Sequence, residues 1–89
     1  MIVKKYTVLA SEGLHARPAK AFLKLIRNYE ASVKIRKDDL ECDAKKGILG
    51  IISMQALYNS TIILEINGKD EAECYLSLDE FFEHSILNL

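Results

Sequence analysis

The run Gly13-Leu14-His15-Ala16-Arg17-Pro18 sets an imidazole, a guanidinium and a proline side by side, a grouping suited to a phosphate carried on nitrogen. Pro18 is well placed in the first turn of a helix, where its missing N–H would have had no partner. His15 then falls at or near the N-cap. Free backbone amides and the positive end of the helix dipole make such a position attractive to anions. A neutral imidazole there already carries the lone pair that attacks a phosphoryl donor, so no carboxylate base is needed. Arg17 can fork onto phosphate oxygens and offset the charge on the transferring group. No metal-ligand spacing accompanies this group, and the other histidine, His84, lies near the far end of the chain.

The elements that must position His15 follow from periodicity. Ile2 to Leu9 is rich in β-branched and aromatic residues and reads as a strand, which Ser11-Glu12-Gly13 breaks. Residues 16 to 28 read as a helix with an apolar face of Ala19, Phe22, Leu25, Ile26 and Tyr29. Arg17, Lys20, Lys24 and Arg27 fall within about 80° of one another on another face, a basic stripe that starts beside His15. Ser32–Arg36 and Leu40–Asp43 alternate around the turn Lys37-Asp38-Asp39, giving a hairpin. Ala44-Lys45-Lys46-Gly47 leads into a short helix around Ile48 to Met54. Thr61–Ile66 is the last strand, with Ile62, Leu64 and Ile66 on one side, and Asn67-Gly68 ends it. Asp70 with Glu73 predicts a capping box for the final helix. Its expected buried stripe is Ala72, Tyr75, Leu78, Phe82 and Ile86, with Glu71, Asp79, Glu80 and Glu83 on an acidic outer face.

The order βαββαβα, with alternating strands, predicts an α+β open-faced sandwich whose helices gather on one side of the sheet. Its 89 residues suit one domain. Twelve basic and 13 acidic side chains leave a net charge of −1, so no global field argues for nucleic acid or a membrane surface. No apolar run approaches the ~20 residues of a spanning helix, and no leader is evident; a cytoplasmic protein is expected. Cys42 and Cys74 fit no metal or CxxC spacing and read as small buried hydrophobes.

Gly13, Leu14, His15, Ala16, Arg17, Pro18 and Ala19 match the active-site signature of HPr, the histidine-containing phosphocarrier of the bacterial phosphoenolpyruvate-dependent sugar phosphotransferase system. The resemblance runs through Gly50-Ile51-Ile52-Ser53-Met54, and Lys20 departs from the small or Met residue common at its place. It implies a four-stranded antiparallel sheet with three helices on one face. It also implies phosphorylation of His15 on Nδ1 by enzyme I, with transfer to sugar-specific EIIA domains. Ala16 and Arg17 would hold the phosphate, with no cofactor and no metal. Lys24 and Arg27 match basic partner-contact positions, with Lys20 beside them. Of Ile48, Leu49 and Ile52, the default for a short helix is core, whereas the family places part of this set on an exposed apolar docking patch. Gly47 stands where HPr proteins of many Gram-positive bacteria carry a regulatory serine, so no uptake of phosphate from ATP with an HPr kinase is expected. A monomer is expected.

Two other classes compete with a carrier that is not itself an enzyme. A small α+β regulatory ligand-binding module would leave His15 merely structural, since folds host many functions. A small hydrolase such as an acylphosphatase is comparable in size and strand–helix order, but its glycine loop with paired Arg and Asn is missing. Acid-labile phosphate on His15 separates the three.

Overall fold

The computed structural model describes residues 1–89. Four strands, β1 (Ile2–Thr7), β2 (Ser32–Lys37), β3 (Leu40–Asp43) and β4 (Thr61–Asn67), alternate with three helices, α1 (Ala16–Ile26), α2 (Ile48–Ser53) and α3 (Glu71–Glu83). A 3₁₀ turn (Ala44–Lys46) precedes α2, and another (Ser85–Asn88) follows α3. The sheet order is β1-β4-β2-β3, antiparallel throughout. β1 stops two residues short of the expected Leu9, but Val8 continues toward β4 through backbone bonds to Ser60 and Asn59.

Alternation places Tyr6, Val33, Ile35, Ile62, Leu64 and Ile66 on the buried face, where they join one core cluster with the helices. The opposite face is solvated and charged, with ion pairs Arg36–Glu65 at 2.6 Å and Lys34–Glu41 at 3.6 Å. The β2–β3 hairpin turns through Asp38 and Asp39 as expected. Asp38 takes φ +55°, the left-handed geometry of a two-residue hairpin loop, which Asp tolerates. Under the sheet, Tyr6 stacks on Phe82 at 5.0 Å between ring centroids, and Phe22 and Phe81 meet Phe82 edge-on. Burial, then the bond that Tyr6 Oη–H donates to Asp79 at 3.0 Å, pushes the Tyr6 phenol well above its ordinary range.

Three sequence expectations need correction. In and after α3, Leu78, Phe82 and Ile86 are buried as expected, but Cys74 and Phe81 complete the buried set, while Ala72 is exposed and Tyr75 half-buried. On α1 the buried set is Pro18, Ala19, Phe22, Leu23 and Ile26, with Leu25 and Tyr29 at its margin. Asp70 is the N-cap of α3 without a side-chain capping bond. Its carboxylate instead accepts the backbone N–H groups of Glu30 and Ala31, each at 2.8 Å. A long-range pair of amides has displaced the local capping box.

Candidate phosphoryl-acceptor site and docking surface

His15 is the N-cap of α1, in extended conformation (φ −129°, ψ 168°), and makes no side-chain capping bond. The first turn contains no acidic residue. The first helical amide to find a carbonyl is Ala19 N–H, donating to His15 C=O at 3.4 Å. Pro18 has no N–H, which leaves the Ala16 and Arg17 amides as the anion-facing donors of this helix start. The ring itself is partly exposed, and Arg17 is exposed and makes no ion pair.

The loop delivering His15 is rigid. Gly13 N–H donates to Ala10 C=O at 2.9 Å, and Leu14 N–H donates to Ala56 C=O at 2.7 Å. Leu14 itself is fully buried. Gly13 has φ +79°, and a Cβ there would lie 2.7 Å from the Ala56 oxygen and 3.0 Å from Leu57 Cα; only glycine fits. Ala16 has φ +45°, a left-handed conformation costly to a residue with a Cβ. The strained residue stands between the imidazole and the guanidinium.

The basic stripe divides into two. Lys20, Lys24 and Arg27 line a groove with Leu23, Asn28 and Ile48, so α1 and α2 present cations and an aliphatic side chain together. Arg17 faces a second hollow, lined by Ser11, Glu12, Ala16, Pro18 and Leu89. At 100° per residue the four cations share one helix face, but the loop before α1 folds against its first turn and takes Arg17 out of the groove.

On α2 the core residue is Ile51, with Met54 buried just beyond the helix. Ile48 and Ile52 are half-buried and Leu49 is 80% exposed. Two exposed apolar residues that sequence reasoning missed lie beside the His15 loop: Leu57 and Tyr58, each 60% exposed, follow the Ala56 carbonyl that holds it. Nothing in their local pattern marks them, because their place is set by that loop-to-loop bond. Gly47, at the start of α2, has φ +144° and open space at its Cβ position. Cys42 and Cys74 are free; burial pushes both thiols up. No group of three or more His, Cys, Asp or Glu side chains is placed to hold a metal ion, and no helix is long and apolar enough to cross a membrane.

The open-faced sandwich thus carries His15 at a helix start that no side chain caps. The family model described as "PTS HPr component phosphorylation site" matches residues 2–84. The phosphocarrier protein HPr of Treponema pallidum is 29% identical over 84 residues, covering 94% of each chain. The structure of HPr-C-His from Thermoanaerobacter tengcongensis superposes with a TM-score of 0.91 at 28% identity, covering 97% of this chain and 96% of that one. That of Crh, the Bacillus subtilis catabolite-repression protein described as a swapped dimer, gives 0.74 at 29% identity, covering 98% and 99%. The chain belongs to the HPr family of phosphotransferase-system phosphocarriers.

Proposed function

We propose that His15 takes a phosphoryl group from phosphorylated enzyme I and passes it to EIIA domains. In each exchange the bond from phosphorus to an imidazole nitrogen of His15 forms as the donor's bond to phosphorus breaks, and the reverse occurs on delivery. The Ala16 and Arg17 amides receive the phosphate oxygens, and the Arg17 guanidinium offsets their charge. A carrier gains nothing by binding its phosphate too tightly, and a part-exposed imidazole with one exposed, unpaired arginine suits reversible transfer. The observation that carries this reading is the uncapped start of α1, with His15 extended at its N-cap.

Partners dock on the groove of Lys20, Lys24, Arg27 and Ile48, with exposed Leu49 and half-buried Ile52 on the adjoining helix. Residues 1–89 act as one domain in the cytoplasm. A monomer is the proposed working unit. Gly47 offers no hydroxyl, so phosphate transfer proceeds without an ATP-dependent serine switch at that helix start.

Incubation with phosphoenolpyruvate and enzyme I should place acid-labile phosphate on the protein. His15→Ala abolishes it and His84→Ala leaves it intact. Labelling that survives in His15→Ala rules the carrier mechanism out.

A further inference from the structure

We infer that Glu12 competes with the phosphoryl group for Arg17 and so sets how readily the phosphohistidine gives up its phosphate; this rests on His15 as the acceptor. Ser11 and Glu12 are the central residues of the turn closed by Gly13 N–H on Ala10 C=O. The turn cannot drift, because Gly13 is packed against the Ala56 carbonyl and Leu14 is bonded to it. It brings Glu12 to the hollow that Ser11, Ala16, Arg17, Pro18 and Leu89 also line.

Glu12 is the only acidic side chain lining that hollow, as Arg17 is its only basic one. Both are exposed, and neither forms an ion pair, with the other or elsewhere. Lys20, Lys24 and Arg27, the other cations of α1, line a different groove. Arg17 is thus the guanidinium that shares a hollow with Glu12 and stands two residues from the proposed acceptor His15.

A guanidinium fork satisfies one carboxylate or one phosphate in bidentate fashion, not both. In the unphosphorylated protein Arg17 can turn onto Glu12. When phosphate arrives on His15, Arg17 must leave the carboxylate, which then stands as an uncompensated negative charge near a dianion. Both effects destabilise the phosphorylated form relative to the free form. The result is a higher transfer potential, with the site still able to accept phosphate from a strong donor.

The test uses the full chain with enzyme I at a fixed ratio of phosphoenolpyruvate to pyruvate, and reads the equilibrium fraction of acid-labile phosphate. Glu12→Gln should raise the phosphorylation equilibrium constant roughly two- to fivefold, the range of an exposed ion pair, and lengthen the phosphohistidine lifetime. In an Arg17→Ala background the same substitution should give less than half that gain. No change in Glu12→Gln overturns the inference. A gain in the Arg17→Ala background of half or more of that in wild type also overturns it, because Glu12 would then act mainly on the phosphate directly. Wild-type protein that takes up no acid-labile phosphate would instead reject His15 as the acceptor.

Discussion

Helices α1 and α3 begin in opposite ways. The start of α3 is saturated by carboxylates. Asp70 accepts two N–H groups from the α1–β2 connection, and Glu71 accepts the Gly68 N–H at 3.1 Å and pairs with the N-terminal ammonium at 3.0 Å. The Glu30 amide, with that of Ala31, holds the Asp70 carboxyl below the usual carboxylate range, and the Gly68 amide does the same for Glu71. The start of α1 is held from outside, through Gly13 and Leu14 backbone bonds, while its own amides and Arg17 stay unpaired. One junction spends its polar groups on the fold; the other is immobilised so that its polar groups remain available to a ligand. At α3 the carboxylates tie down amides of neighbouring segments, whereas at α1 no side chain caps the helix start.

Four measurements would break or sharpen this contrast. Gly13→Ala strikes the external clamp of α1, forcing a left-handed alanine against the Ala56 carbonyl. A loss of about 3 kcal/mol in urea unfolding is expected, and unchanged stability would mean the clamp is not rigid. Asp70→Asn strikes the α3 joint. The folded-state carboxyl titrates below its unfolded value, so its contribution is present above the ordinary carboxylate range and lost as pH falls through the depressed one. Wild type should therefore be the more stable at pH 7, with the two proteins converging in acid while phosphate labelling at pH 7 persists in both. Parallel stability curves across that range would show that the charge on Asp70 is not what closes the joint.

Lys24→Glu with Arg27→Glu leaves both helix starts alone and alters only the groove. Association with enzyme I should slow at low salt, and the deficit should shrink as salt screens charges over ~10 Å near 0.1 M. A rate independent of salt would leave the stripe as a solvated face. Ala16→Gly is the smallest change. Relief of the positive φ is offset by glycine's entropy in the unfolded chain, so a net gain under about 1 kcal/mol is expected. A clear loss of stability would show that residue 16 is not strained in solution.

Much of this was legible because it is local. Pro18 fixes the helix start at His15, strict alternation orients β4, and Asp38-Asp39 makes the hairpin. What was not legible depends on distant partners. Asp70 looks like a capping residue until the amides of Glu30 and Ala31 arrive from 40 residues away. The stripe of α3 was legible at Leu78 and Phe82 but not at Phe81, because Tyr75, Leu76 and Phe81 make the helix apolar over a wide arc and the ring of Phe22 meets Phe81 from another helix. Leu49 and Ile51 differ in burial, though not in hydrophobicity, because of what α2 packs against. The separation of Arg17 from the other cations was invisible for the same reason: Glu12 and Ser11 belong to the preceding turn, and angular spacing along a helix contains no information about it.

The strand order has a consequence for synthesis. β1, which leads into the His15 loop, has β4 as its sole neighbour in the sheet, pairing Tyr6 with Ile62 and Thr7 with Thr61. The Ala56 carbonyl that clamps the loop also lies late in the chain. Contacts this far apart in sequence form late, after a long loop has closed. A nascent chain that has released His15 but still holds β4 in the ribosome tunnel has every residue of the acceptor and no acceptor. On the function proposed above, a chain truncated before Ala56 contains His15 but neither the carbonyl nor the strand that holds its loop, and it should take up no acid-labile phosphate from enzyme I.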